Sequence, residues 1–576
     1  MRFTVLAFLG ALLLAQGCSM LPKKHRVEAA ARPLNVVILT AESMNTRHLS
    51  LYGNPRKTSP NLDAFAKTAV KFDWCVGASA WTSESIVSLL TGMPSPVHGV
   101  VTRNCNIDPR WFTPMEILRD AGYENPRMSA YQVDQNYSHV GFTGEMQLTT
   151  PEVWLEQHKD KPFFMWHHLL DTHLPYKPSA WAKEKFWRDD LIPNEASRHR
   201  VLQVQTNGVL VAGAVAFKPE EDLPAITALY EADVLMMDAE FGRIVRKIED
   251  LGLRDNTLII FCADHGEELL EHGYIGHGST SKNAKLFDEL THLPLVISLP
   301  GRIPAGGVVT QQVRTVDVMP TVFDLLGLPA RDYFMGESLQ PLWLAGAAAG
   351  HRIAFSSSAR AGYKEDDPAN VTNSVRSVRA PPWKLIRHEA KGFDDVYELY
   401  NLEQDPGEKV NVMGRHPGVE ARLVVALDQW LRTCGEWTDR QLSHKENVEP
   451  VYRRSLWAIW MEYLFPPKVL DLTGVDSPPK MIWPLGGETI THANSNGRVH
   501  VTWTGKPGIP YLLELDFGAG DYHFNTYVRS DRPEMIREFD ASWWNTYAIQ
   551  YSPARLRVKI DRPEHEWSGW TTVELK

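Results

Sequence analysis

Cysteine is scarce in this chain: five in 576 residues. Four of them, Cys75, Cys105, Cys262 and Cys434, could form disulfides in three connectivities, and spacing selects none. Cys75 with Cys105 is the bridge expected first, because both lie near the segment around Thr82, whereas Cys262 falls within a buried strand pattern. Positive charge is not in excess either. Sixty Lys and Arg against 70 Asp and Glu leave a net charge of −10. With no run of basic residues in the body of the chain, the electrostatic case for a nucleic-acid partner disappears. The apolar run from Phe3 to Leu14 is too short for a comfortable transmembrane helix.

That short run follows Met1-Arg2 and ends at Leu14-Ala15-Gln16-Gly17-Cys18, the pattern of an export signal closing on a lipoprotein cleavage box. The expectation is a signal peptide over 1–18, lipidation of Cys18 and a polar tether over 19–33. The chain would then be anchored in the cell envelope at the periplasmic face, with Ser19 favouring the outer membrane. The remainder is well cored, at 43% hydrophobic and 23% charged residues, and too long for one ordinary domain.

Three segments carry chemistry. Leu34 to Ala41 reads as a strand buried on both faces, with Glu42 at its C-terminal end. Asn256 to Ala263 reads as a second such strand, ending in Asp264-His265-Gly266. Between them, Ala80-Trp81-Thr82-Ser83-Glu84-Ser85 leads into the apolar run Ile86 to Leu90, so Thr82 falls at or near a helix N-cap, where backbone N–H groups favour an anion. Open α/β sheets bind ligands at the carboxyl ends of their strands. A hydroxyl, two carboxylates and an imidazole gathered there make one four-ligand set for a divalent metal.

These segments, with Thr58-Ser59-Pro60-Asn61-Leu62-Asp63, His98-Gly99-Val100, Glu271-His272-Gly273, Val316-Asp317-Val318-Met319-Pro320-Thr321 and Asp405-Pro406-Gly407-Glu408, resemble the sulfatase-like branch of the alkaline phosphatase superfamily over roughly residues 34–412. The resemblance implies an α/β fold: a doubly wound mixed sheet with a small α+β subdomain. It departs from true sulfatases at the site. Their Cys-x-Pro-x-Arg pattern, in which Cys or Ser becomes formylglycine, is replaced by Thr82, Glu84 and Ile86, and their paired aspartates by Glu42-Ser43. A Thr nucleophile with Glu42 and Asp264-His265 looks closest to phosphoethanolamine transferases and lipoteichoic acid synthases.

On that resemblance, Glu42, Thr82, Asp264 and His265 hold one divalent ion, zinc before manganese or calcium, and Thr82 attacks a phosphate ester through a covalent intermediate. His173 and His277 stand where relatives bind the substrate anion or protonate the leaving group. Asp171 and His272 are weaker candidates, and Asp171, His173 and His277 offer a second metal set that no spacing demands. The expected substrates are phospholipid, glycan or small phosphoester or sulfoester components of the envelope. Sulfate-ester hydrolysis is the alternative; an inactive envelope-binding protein is the alternative of another class.

The expected domains are catalytic over 34–345, a small subdomain over 346–440 with a closing helix near 420–433, and an aromatic-rich linker helix over 441–475. Short alternating runs over 476–576, with Trp503 as a core candidate, look like a fibronectin type III-like β-sandwich. Residues 184–221 are expected to form a lid, and 223–251 a helix packed on the sheet.

Overall fold

The computed structural model describes residues 33–444, apart from 103–104, 109–110, 112, 129–139, 143–145, 148, 211–212, 278–284, 329–333, 346–349 and 360–372. Beyond 444 it describes the backbone of strands between 481 and 575. The signal with Cys18, the tether up to residue 32 and all but the first residues of the expected linker helix lie outside the described residues.

Strand β1 (Asn35–Ala41) is buried at every position, as a run rich in β-branched residues predicts. Its side chains alternate between two cores: Val36 and Ile38 enter one, Val37, Leu39 and Ala41 the other. Strand β6 (Thr257–Ala263) repeats this, with Leu258, Ile260 and Cys262 on the first side and Ile259, Phe261 and Ala263 on the second. A sheet dry on both faces needs helices on both. Helices α1 (Thr82–Thr91) and α3 (Val318–Leu326) fill the first core through Ile86, Val87, Leu90, Met319, Val322 and Phe323. Helix α2 (Pro219–Asp250) fills the second through Ile226, Leu229, Val234, Met237 and Phe241. Each such side chain contributes about 1.5–3 kcal/mol when fully buried.

The sheet is completed by β2 (Val70–Val76), β3 (Arg127–Met128), β4 (Met146–Gln147), β5 (Phe164–Leu169), β9 (His292–Ser298) and β10 (Gly307–Arg314). Its order is β10-β2-β9-β6-β1-β5-β3-β4. Pairing is parallel except at β9, which runs against both β2 and β6. The expected doubly wound mixed sheet is therefore present. A hairpin of β7 (Glu268–Leu269) and β8 (Ile275–Gly276) follows β6. Helix Glu195–Thr206, in the segment expected as a lid, and helix Ala180–Phe186, which overlaps its start, pack against α2.

A smaller antiparallel sheet, β11 (Ala354–Ala359), β12 (Asn373–Ala380), β13 (Trp383–Ala390) and β14 (Val396–Asn401), is covered by α4 (Pro417–His444). The closing helix is thus much longer than expected and crosses the anticipated boundary at 440. Asp288 ties this sheet to the larger one, pairing with Arg379 at 3.0 Å and Lys384 at 2.8 Å, while Lys384 also meets Glu408 at 2.9 Å. Further on, β15 (Met481–Trp483), β17 (Arg498–Trp503) and β20 (Glu534–Glu538) form one sheet. Strands β16 (Thr489–Ile490), β18 (Tyr511–Ala519), β19 (Tyr522–Ser530), β21 (Ala554–Ile560) and β22 (Thr571–Leu575) form another.

Cys75, Cys105, Cys262 and Cys434 form no disulfide. The expected Cys75–Cys105 bridge fails because Cys75 faces the first core from β2, fully buried, whereas the Cys105 thiol meets the Gly99 carbonyl at 3.3 Å. Among the described residues no helix is long and apolar enough to cross a membrane.

Candidate metal centre and active site

Strands β1 and β6 stay in register past their ends. Asp264 N–H donates to the Ala41 carbonyl and Met44 N–H to the His265 carbonyl. This sets Glu42 beside Asp264 at the carboxyl edge of the sheet. Between them Ser43 takes a left-handed conformation, φ +55°, uncommon for a residue with a Cβ. It is held by two bonds: its N–H donates to Asp264 Oδ1 at 3.0 Å and its carbonyl accepts from the Tyr230 hydroxyl at 2.6 Å. After His265 the chain turns through Gly266, where a Cβ would lie 1.9 Å from the Glu289 carbonyl oxygen. Only glycine fits that approach.

Thr82 arrives from the other direction, as the first residue of α1 rather than its cap, which is Trp81. Its Oγ1 donates to Glu42 Oε1 at 3.0 Å and lies 3.1 Å from His265 Nε2. Since a carbonyl can only accept, the 2.8 Å contact between His265 Nδ1 and the Gly266 carbonyl places the ring hydrogen on Nδ1. Nε2 is left with a lone pair toward the hydroxyl, the tautomer a metal-binding histidine needs. Burial lowers the His265 pKa, the His277 ring adding to this while the carboxylates oppose it.

The ligand atoms of Glu42, Asp264 and His265 all lie within 4.8 Å of one another, and all three side chains are buried. Asp264 Oδ1 accepts from two backbone N–H groups, of Ser43 at 3.0 Å and His265 at 2.7 Å, but Oδ2 accepts no hydrogen bond. A buried acceptor without a partner costs about 1–3 kcal/mol. A divalent cation relieves that cost, so the donor set fits one. Burial opposes charge on both carboxyls. The imidazoles of His173, His168 and His265 overcome it at Glu42 and hold its pKa down, whereas Asp264, beside that charge, is raised.

The two histidines expected at the substrate stand at the rim of this group. His173 Nε2 is 3.8 Å from Glu42 Oε1, its Nδ1 is tied to the Leu174 carbonyl, and the side chain is 21% exposed. His277 has its ring 4.3 Å from that of His265 and its Nδ1 2.8 Å from Glu267 Oε2, and burial lowers its pKa to about 3. Glu267 also accepts from the Tyr176 hydroxyl at 2.9 Å.

Asp171 and His272 point elsewhere. Asp171 is raised to about 6 by burial and by the charge of Glu240 on α2. His272 pairs with Glu289 and stacks on Phe287 at 3.7 Å. Among the described residues the second metal set of Asp171, His173 and His277 is not assembled; the acidic and histidine side chains close enough to share an ion are Glu42, Asp264 and His265. One participant escaped the sequence reading. His168 has Nε2 3.0 Å from Glu42 Oε2 and 3.8 Å from Asp264 Oδ2. Its signal, a histidine pair inside the apolar strand Phe164–Leu169, is indistinguishable from a satisfied core histidine. The positions of the missing formylglycine pattern are occupied differently: Glu84 accepts from Ser79 Oγ at 2.7 Å and Ala359 N–H at 2.9 Å, and Ile86 is fully buried in the first core.

The family model described as Sulfatase matches residues 34–328, and one described as N-sulphoglucosamine sulphohydrolase, C-terminal, matches 276–433. The N-acetylglucosamine-6-O-sulfatase of Bacteroides thetaiotaomicron is 21% identical over 542 residues, covering 77% of this chain and 93% of the relative. Arylsulfatase K of Canis lupus familiaris is 30% identical over 469 residues, covering 72% of this chain and 85% of the relative. The crystal structure of the phosphonate monoester hydrolase of Agrobacterium radiobacter shares the fold, with a TM-score of 0.55 and 22% identity over 69% of this chain and 96% of that one. With a family match across more than half its length, on an alkaline phosphatase-like sheet, this chain belongs to the sulfatase family.

Proposed function

We propose that this protein is a divalent-metal-dependent hydrolase of sulfate esters, with Thr82 as the attacking group and a sulfated sugar as the substrate class. The observation that carries the reading is the buried contact of the Thr82 hydroxyl with Glu42 and His265 beside the Asp264 carboxylate. Sulfatases among the relatives move the ester class from the phosphate expected first to sulfate. The cation, held by Glu42, Asp264 and His265, would lower the hydroxyl pKa of Thr82 and polarise the ester. Thr82 gives its hydroxyl proton to Glu42 Oε1, 3.0 Å away. As Thr82 Oγ1 bonds to sulfur, the bond from sulfur to the sugar oxygen breaks, and His173 supplies a proton to that oxygen. Water then attacks the sulfur, giving one proton back to His173 while Glu42 returns the one it took to Thr82 Oγ1, and hydrogen sulfate is released. His277, held by Glu267, faces the anion.

A phosphate or phosphonate ester is the second reading. It is favoured by the residue at 82: without a formyl group the attached acid must leave by direct hydrolysis, which phosphothreonine undergoes by the same in-line displacement. The test is a panel of sulfated monosaccharides, aryl sulfate, phosphate mono- and diesters and phosphonate monoesters, with mass spectrometry of Thr82 after a quench. Faster turnover of phosphodiester than of any sulfate ester would move the assignment to the second reading. No turnover and no bound metal would leave the inactive envelope-binding protein. We also propose anchoring through a lipidated Cys18: Cys18→Ser should move the protein from the membrane to the soluble fraction, and an unchanged distribution would refute it.

A further inference from the structure

His168 takes no part in the chemistry above, yet it points at both carboxylates of the centre. It lies directly across from Thr40 in the β1–β5 pairing. Its Nδ1 is 2.7 Å from Thr40 Oγ1 and 3.2 Å from the Thr40 carbonyl. Two residues before it, Trp166 donates its indole N–H to the same Thr40 Oγ1 at 3.0 Å. An indole nitrogen has only a hydrogen to give, so one lone pair of the Thr40 hydroxyl is taken by Trp166, and the same hydroxyl, with the Thr40 carbonyl beside it, fixes the Nδ1 end of the His168 ring. At the other end of the ring, a bare lone pair 3.0 Å from a carboxylate oxygen would be repelled. Nε2 therefore carries a hydrogen, and it stands in ion-pair contact 3.0 Å from Glu42 Oε2, with Asp264 Oδ2 further off at 3.8 Å.

We infer that Trp166, Thr40 and His168 form a positioning relay for the metal centre. By standing against Glu42 Oε2 on the side away from Thr82, His168 leaves Oε1 to face the hydroxyl, and it eases the repulsion between two buried carboxylates that must lie side by side before any cation arrives. The relay is buried throughout, so water cannot substitute for a missing member. This inference rests on the reading of Glu42, Asp264 and His265 as cation ligands.

The test is Mn²⁺ affinity by titration calorimetry on the full-length protein. Partners that orient metal ligands are worth ~10–100-fold in affinity. Replacement His168→Phe should cost that much, and Thr40→Val, which keeps shape and removes the hydroxyl, about tenfold. Replacement His168→Gln, whose amide N–H reaches the place of Nε2, should recover most of the loss, a rescue that a merely space-filling role would not give. If His168→Phe does not fold, Thr40→Val and His168→Gln still decide the matter. Wild-type affinity in both Thr40→Val and His168→Phe would overturn the relay. So would X-ray absorption of the Zn²⁺-loaded protein showing two imidazole ligands instead of one, since His168 would then be a ligand itself. A wild-type protein that binds no cation would instead sink the reading of the centre, and the two failures are distinguishable.

Discussion

The proposed chemistry rests on the hydroxyl at position 82. Replacement Thr82→Ala should lower kcat by at least ~10³-fold, as removal of a nucleophile does, and leave the thermal midpoint nearly unchanged, because α1 is anchored by Ile86, Val87 and Leu90. Loss of both activity and fold would make Thr82 structural. Two residues on, burial raises Glu84 from 4.5 to about 7, against the bonds from Ser79 and Ala359. A carboxyl raised in the folded state contributes stability that is full below its unfolded pKa and lost as pH rises through the folded one. Urea midpoints should therefore fall between pH 4.5 and about 7, and Glu84→Gln should flatten that slope; an unchanged slope would show that other groups carry it. At this scale Glu42, Thr82, Asp264 and His265 were legible in the sequence, because each sits where a buried run meets a polar turn. His168 was not: a histidine inside a strand gives no periodic sign of which carboxylate it faces. The Cys75–Cys105 pairing failed for a related reason, since nearness in sequence says nothing of the face from which β2 projects Cys75.

Elements carry the site through their ends. The turn after β6 passes so close to Glu289 that Gly266→Ala must displace one of the two segments. We expect that change to weaken Mn²⁺ binding by tenfold or more, in the range of other changes that disturb ligand orientation, and unchanged affinity would show that the turn can relax. Lys384 on β13 holds Asp288 and Glu408 together between the two sheets. Replacement Lys384→Met strands buried carboxylates and should destabilise the protein by ~3–5 kcal/mol in denaturant titration, whereas a loss below 1 kcal/mol would show that Arg379 compensates. Strands β1 and β6 could be read from sequence because complete burial demands unbroken apolar runs. The reversal of β9 could not, since a hydrophobic pattern looks the same in both directions. The length of α4 was underestimated because Gly435 reads as a helix stop, although Cys434 and Trp437 carry the buried stripe past 433.

The whole molecule closes its site over very long stretches of chain. Thr82 meets Glu42 across 40 residues and His265 across 183, while Ser43 and Asp264 are joined across 221. Helix α2, by contrast, is 32 consecutive residues whose bonds are local. Local helices form within microseconds, but distant strands must first meet at an entropic cost that grows with the loop between them. After dilution from denaturant, far-ultraviolet ellipticity should return before a Mn²⁺-sensitive signal, and simultaneous recovery would contradict this. The same geometry bears on synthesis. A nascent chain exposes Glu42 and Thr82 long before Asp264 and His265 have left the ribosome, so half the grip emerges early and cannot close on an ion until the second half arrives.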